Sequence, residues 1–248
     1  MRHYAITGAS SGIGRAIAER LARDGARVSL LARRADALDE TAARTGGLAV
    51  PCDIRDAAAV DAAFARLADA NGPLDGFVAC AGIGGPNGPG EGDRFGELVA
   101  TNLVGTYHTL RAAERHLAPG PARRDIVVIA SVLARFGVPG YTGYCASKTA
   151  LLGLTRALAL ELAPRNVQVN ALCPGWVDTE MAWEGIDGFA RAIGGTREEA
   201  LRRAMAAVPL GRMAKPDEIA GTVAWLLSAD AAGVTGATID QNGGSFMG

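Results

Sequence analysis

The feature that most constrains this chain is an alternation running its whole length. Short stretches of β-branched and aliphatic residues are separated by Ala-rich stretches of helical periodicity. Strands are expected near residues 3–7, 26–31, 47–51, 75–80, 125–131, 166–172 and 236–240. Helices are expected over about 12–24, 35–45, 56–70, 94–117, 142–163 and 216–228. Strands joined through helices by short loops make right-handed crossovers, and hence a parallel sheet covered on both faces. The predicted class is α/β, with a doubly wound parallel sheet of about seven strands. No Pro/Ser-rich linker and no repeat divides the 248 residues, so one domain spans 1–248. Two segments break the rhythm: a Gly/Pro-rich loop at 82–92 and a long excursion at 178–212. Insertions at the carboxyl ends of parallel strands are where such folds place ligand-covering lids, and 178–212 is read as a substrate lid. A solvated surface loop with a helix is the alternative.

Bulk properties exclude several functions. The net charge is −1, and basic residues are dispersed, which leaves no electrostatic footprint for nucleic acid or an anionic membrane. No apolar stretch reaches the roughly 18–20 residues that span a bilayer. The N-terminus runs directly into a strand without an apolar leader pattern, which predicts a cytoplasmic protein. Cys52, Cys80, Cys145 and Cys173 show no CxxC spacing and read as reduced thiols in apolar surroundings. His3, His108 and His116 form no ligand pattern, so no metal site is expected.

After the first strand comes Thr7-Gly8-Ala9-Ser10-Ser11-Gly12-Ile13-Gly14, and a helix pattern follows at once. Gly8 permits a tight turn, Gly12 lets backbone approach a pyrophosphate, and Gly14 allows close helix–strand packing. The helix N-terminus adds unpaired N–H groups and a positive dipole end. No Lys-Ser/Thr pair follows these glycines, which disfavours a nucleoside-triphosphate loop. The second strand ends in Ala32-Arg33-Arg34, where NAD-binding domains usually carry an acid for the ribose 2′-hydroxyl. An Arg fork suits a 2′-phosphate instead, so NADP(H) is favoured, with Arg33 the better candidate; NAD(H) is the alternative. Asp53, after the third strand, is placed either to accept from an adenine amino group or to cap the next helix, and Ile54 follows it.

Strand 125–130 delivers Ser131 at its carboxyl end, and Tyr144 and Lys148 then stand one helical turn apart at the start of a long helix. Carbonyl reduction needs a proton for the developing alkoxide as hydride reaches carbon. A phenol of ordinary pKa, about 10, is a poor acid/base near neutrality. A nearby ammonium lowers that pKa, and a serine hydroxyl can hold the substrate oxygen. Lys148 is one of only two lysines, the other being Lys215.

Taken in order, Thr7–Gly14, Cys80-Ala81-Gly82, Asn102, Ser131, Tyr144-x-x-x-Lys148 and Pro174-Gly175 resemble the short-chain dehydrogenase/reductase family over essentially the whole chain. The resemblance implies a Rossmann-like fold and a tetrad of Asn102, Ser131, Tyr144 and Lys148 acting on CH–OH/C=O. It also implies that Lys148 contacts the nicotinamide ribose and that Asn102 supports a proton path. Ser10, Ser11, Ile13, Ala81 and Gly82 would line the cofactor, and Pro174, Gly175, Val177 and Thr179 would hold its carboxamide. Cys80 departs from the family, which usually has a sheet-bracing Asn there. Family members are often tetramers, so a homotetramer or dimer is expected, with 234–248 resembling the segment that packs between subunits. Val132, Leu133, Ala134, Phe136, Val138, Pro139 and Tyr141, with Met181, Trp183, Ile186 and Phe189, predict a mostly apolar substrate pocket. The lid and Pro209-Leu210-Gly211-Arg212 are similar to bacterial ketoreductases acting on acyl or polyketide β-keto groups. The competing readings are an NAD(H)-dependent alcohol or hydroxyacyl dehydrogenase and a non-catalytic cofactor-binding regulator.

Overall fold

A computed structural model describes all residues 1–248. Seven strands form one parallel sheet: β1 (His3–Thr7), β2 (Arg27–Ala32), β3 (Leu48–Pro51), β4 (Gly76–Ala79), β5 (Arg124–Ile129), β6 (Val167–Pro174) and β7 (Thr238–Gln241). Their order is β3-β2-β1-β4-β5-β6-β7. The order reverses between β1 and β4, which pair in register from Tyr4↔Gly76 to Ile6↔Val78. In such sheets a crevice opens beyond the carboxyl ends of the strands at the reversal. Every residue of β1, β4, β5 and β6 is buried, as expected for strands covered on both faces.

Helices cover the two faces. On one lie α1 (Gly12–Arg23), α2 (Ala35–Thr45) and α9 (Pro216–Leu226), burying Ile17, Leu21, Leu38 and Val223 against Ile6, Leu30 and Val127. On the other, α3 (Ala57–Asn71), α5 (Thr106–Arg115) and α6 (Thr142–Leu162) bury Phe64, Leu110 and Leu158 against Phe77, Ile126 and Val169. Removing each such side chain from water stabilises the fold by about 1.5–3 kcal/mol before chain entropy is counted. Local signals set the helix ends. Gly46 ends α2 in the left-handed region at φ 65°, and Pro216 starts α9 at the first helical position. Asp56 caps α3 by accepting from Ala58 and Ala59 N–H. Asp53 is therefore not the cap, which removes one of its two readings.

The helix expected over 94–117 is not uniform. It comprises α4 (Phe95–Val99), a π-helical segment Ala100–Gly105, and α5. A π segment holds one more residue per bonded ring than an α-helix and often marks a functional position. The excursion at 178–212 contains two helices, α7 (Glu180–Ile193) and α8 (Arg197–Ala206). They bury a small core of their own from Ile186, Ala190, Ala200 and Ala204, roofed by Trp176, Trp183 and Phe189. The C-terminal residues fold back on the end of this excursion, where Leu210 N–H donates to Gly243 O at 3.0 Å.

Candidate active site

The glycine turn lies at the reversal point. Gly8 has φ +68°, and a Cβ there would stand 2.9 Å from Ala81 Cα and 3.0 Å from Ala81 N. The turn from β1 thus sits directly against the Cys80-Ala81-Gly82 segment that follows β4. Gly14 lies under Gly8, and a Cβ on it would overlap the Gly8 carbonyl. Gly12 has φ +53°, with Thr179 Cγ2 at 3.1 Å from the position of its missing Cβ. Ser11, at the N-cap of α1, makes no side-chain cap bond, so the first N–H groups of α1 and the dipole end stay available to an anion. A backbone stripped of Cβ atoms at these points and ending in free donors fits a pyrophosphate. Ser10 is buried and its carbonyl accepts from Arg15 at 2.7 Å, while Ile13 packs toward the α1 face of the core.

Thr7 explains how the chain manages without an Asn at position 80. Its hydroxyl accepts from Cys80 N–H at 3.0 Å and Ala81 N–H at 3.1 Å, tying β1 to the end of β4. Thr7 opens the glycine motif in the sequence, but nothing local shows that its hydroxyl ties the two strand ends together. Burial pushes the Cys80 thiol up to about 12, so it is a neutral packing group beside Lys148.

The two arginines take different places. Arg34 reaches the cradle, donating to Ser11 Oγ at 2.7 Å and pairing with Glu180 at 3.5 Å. Arg33 is exposed on the Asp53 side and helps to hold that carboxyl below its usual range, after the larger effect of hydrogen bonding from Arg55. Arg55 grips Asp53 through Nε at 3.1 Å and Nη2 at 2.6 Å. The Ile54 side chain is buried in the core, against the missing Cβ of Gly105.

The four tetrad candidates come to the carboxyl ends of β4, β5 and β6, next to the cradle. Ser131 lies just past β5, and Lys148 Nζ donates to Ile129 O at 3.0 Å at the same strand end. Asn102 stands in the π segment, fully buried; its Oδ1 accepts from Ile83 N–H at 2.8 Å and its Nδ2 donates to Ile83 O at 3.0 Å. Gly82 joins these groups, since a Cβ on it would lie 3.1 Å from Asn102 Oδ1 and 3.4 Å from Lys148 Nζ. Ser147, missed in the sequence, accepts from Asn102 Nδ2 at 3.2 Å and locks that amide. Contact is thus continuous from Gly8 through Cys80-Ala81-Gly82 to Lys148 and Asn102.

Electrostatics at Tyr144 depart from the simple ammonium–phenol picture. Burial raises its pKa above the ordinary 10, and hydrogen bonding with Ser131 is the effect that opposes this. Lys148 Nζ lies 5.9 Å from the Tyr144 ring centroid and is turned to the Ile129 carbonyl. Desolvation brings Lys148 down to about 8, so it stays mostly protonated at neutral pH. Ser131, not Lys148, is the neighbour that favours the phenolate here.

Pro174 ends β6, and Gly175 abuts Asn242, with a Cβ on Gly175 coming 2.9 Å from the Asn242 backbone. Val177 is buried and bridges to Ala214, and the Thr179 hydroxyl caps α7. The apolar residues divide. Met181 lies against Gly84, its sulfur 3.1 Å from where a Cβ would stand. Leu133, Ala134 and Phe136, expected in the substrate pocket, instead line a cleft of about 600 Å³ with Cys145, Ala146, Thr149 and Ala150. Those α6 residues lie about 60–160° around the helix from Tyr144 and Lys148, so this cleft opens to the side of the face that carries them. Ile186 is spent on the core of the excursion.

A phosphate cradle at the reversal of a parallel sheet, contiguous with a Ser–Tyr–Lys–Asn cluster, defines a dinucleotide-dependent oxidoreductase. Residues 8–245 match the family described as enoyl-(acyl carrier protein) reductase. A putative ketoacyl reductase of Streptomyces coelicolor is 37% identical, over 96% of this chain and 95% of that protein. The 3-oxoacyl-(acyl-carrier-protein) reductase MabA of Mycobacterium bovis is 33% identical, over 100% of this chain and 94% of its own length. Among solved structures, an actinorhodin polyketide ketoreductase with NADPH superposes with a TM-score of 0.92 at 34% identity, covering 98% of this chain and 97% of that one. The chain belongs to the short-chain dehydrogenase/reductase family. No helix is long and apolar enough to cross a membrane.

Proposed function

We propose that this protein reduces a keto group on an acyl or polyketide-like substrate, with NADPH as the hydride donor. The observation that carries the reading is the contiguity of the glycine cradle with the Ser131, Tyr144, Lys148 and Asn102 cluster at the strand ends. The Tyr144 phenol holds a proton at neutral pH, and its hydrogen bond with Ser131 favours release of that proton, against the effect of burial. The nicotinamide, when bound, provides the hydride. Ser131 holds the substrate oxygen, and Tyr144 gives it a proton as charge develops. Lys148 would carry positive charge at the nicotinamide ribose, and Asn102 keeps the backbone around Gly82 and Ile83 fixed for proton supply. Ser10, Ser11, Gly12, Ile13 and Gly14 hold the pyrophosphate, Asp53 with Ile54 the adenine, and Pro174 to Thr179 the carboxamide. Arg34, with Arg33 beyond it, takes the 2′-phosphate. Residues 178–212 act as the substrate lid of the single domain.

NAD(H) use is the second reading, supported by the Glu180 carboxylate beside Arg34, which disfavours a nearby phosphate. Four free cysteines suit a reducing compartment, and we place the protein in the cytoplasm. Exposed Val104, Tyr107 and Leu160 favour self-association, to a homotetramer or dimer. The deciding experiment follows NADPH and NADH oxidation with 3-oxoacyl thioesters and simple ketones, for the native protein and for Tyr144→Phe. Turnover with NADPH should fall at least about a hundredfold in the variant, with cofactor affinity nearly unchanged. Retention of more than about a tenth of the rate would remove the acid role from Tyr144.

A further inference from the structure

The catalytic helix lacks a cap of its own. Tyr141, at the N-cap of α6, makes no side-chain bond to the first turn. An uncapped N–H at a helix start is costly where it is buried, as at Gly143, and leaves the turn free to fray. The missing acceptor comes from 56 residues away, in the Gly/Pro-rich loop. Asn87 is buried, and its Oδ1 accepts from Gly143 N–H at 2.7 Å. Its Nδ2 donates to Thr142 Oγ1 at 3.0 Å and to Asp93 Oδ1 at 3.0 Å, and its own N–H donates to Gly140 O at 2.8 Å. Gly143 immediately precedes Tyr144, and a Cβ on Gly143 would lie 3.2 Å from Asn87 Oδ1, so the close approach depends on that glycine. The same Asp93 oxygen accepts from Phe95 N–H at 2.9 Å, at the start of α4, which leads into the segment bearing Asn102.

We infer that Asn87 is a positioning residue for Tyr144, a cap supplied by a distant loop of the same chain that fixes the first turn of α6, with Asp93 orienting its amide. The chain Asp93–Asn87–Gly143 ties the α4 path that leads to Asn102 to the helix turn that carries Tyr144. A frayed first turn would carry the phenol away from Ser131 without touching the glycine cradle. The proposal rests on the acid role assigned to Tyr144.

The test compares four proteins with NADPH and one 3-oxoacyl thioester: native, Asn87→Ala, Asn87→Asp, and the exchange Asn87→Asp with Asp93→Asn. A displacement of about 1 Å at a reacting group can cost about a hundredfold in rate. Asn87→Ala should accordingly lose about tenfold to a hundredfold in kcat, with the NADPH Kd unchanged within about twofold. Asn87→Asp sets two carboxylates face to face and should be as slow. The exchange restores an amide donor between positions 93 and 87 and keeps an acceptor for Gly143, so it should recover about tenfold over Asn87→Asp. A kcat for Asn87→Ala within about threefold of native overturns the proposal. So does an exchange variant no faster than Asn87→Asp, or a loss that appears mainly in the NADPH Kd. Should Asn87→Ala fold too poorly to assay, the exchange-to-Asn87→Asp ratio decides alone. Failure here with an inactive Tyr144→Phe leaves the reductase reading standing, whereas an active Tyr144→Phe defeats that reading itself.

Discussion

Gly8 offers a direct measurement of how tightly the cofactor turn is built onto the neighbouring strand end. Replacing it with Ala imposes two separable costs. The first is conformational: φ is +68°, and an L-residue in the left-handed region costs about 1–2 kcal/mol. The second is steric. The new Cβ would stand 2.9 Å from Ala81 Cα and 3.1 Å from Cys80 C, backbone atoms that cannot rotate away. Overpacking of this kind costs about 1–3 kcal/mol, so the total is about 2–5 kcal/mol. Gly46 is a matched control, because its φ is +65° with nothing within 4 Å of a Cβ. Gly46→Ala should therefore show the conformational cost alone, about 1–2 kcal/mol. Urea denaturation of both variants gives the comparison, and NADPH titration of Gly8→Ala should also show weakened binding as the turn is forced away from Ala81. If Gly8→Ala destabilised the protein no more than Gly46→Ala, the close approach of turn and strand end would be wrong.

Two further outcomes are expected. Arg34→Ala should raise the KM for NADPH about tenfold with little effect on NADH, from loss of one charge-assisted bond, and Arg33→Ala should do less; an unaltered NADPH-to-NADH ratio in both would dissociate these arginines from the 2′-phosphate. Asp125, buried at the start of β5 beside Arg123 and Arg2, has a carboxyl raised by burial from 3.8 to about 6. The folded state therefore holds that proton more tightly than the unfolded one. The resulting stabilisation is complete below about pH 4 and lost as pH rises through 6. Asp125→Asn removes this dependence, so its stability relative to native should rise between pH 4 and 7 by an amount on the order of 3 kcal/mol; a flat difference across that range would refute the assignment.

Much of the architecture was legible because it rests on short-range signals. The apolar runs and helical periodicities located all seven strands and the sheet-covering helices to within a few residues. The glycine turn was legible because its spacing carries a geometric demand that only glycine meets. What escaped depends on contacts between distant residues. Nothing local separates Arg33 from Arg34; the choice turns on which side chain Ser11 and Glu180 meet. Asp53 and Asp56 are both plausible caps until the register of α3 is known. Leu133, Ala134 and Phe136 follow Ser131 so closely that a shared pocket was a natural expectation, yet the short helical turn after Ser131 sends them to the side of α6. Asn87 lies in a loop whose composition advertises only flexibility, and the partners it holds in α6 are 55 and 56 positions downstream.

The widened helical segment around Asn102 makes chain length as consequential there as side-chain identity. Each residue in an α-helix turns the path by about 100°. Losing one position between Ala100 and Gly105 would let the segment relax to ordinary winding and swing Asn102 out of reach of Ile83 and Ser147. Gly105 would leave its seat against Ile54 in the same rotation. A substitution at Asn102 or Gly105 disturbs one contact, whereas a change of count re-aims everything on that stretch together.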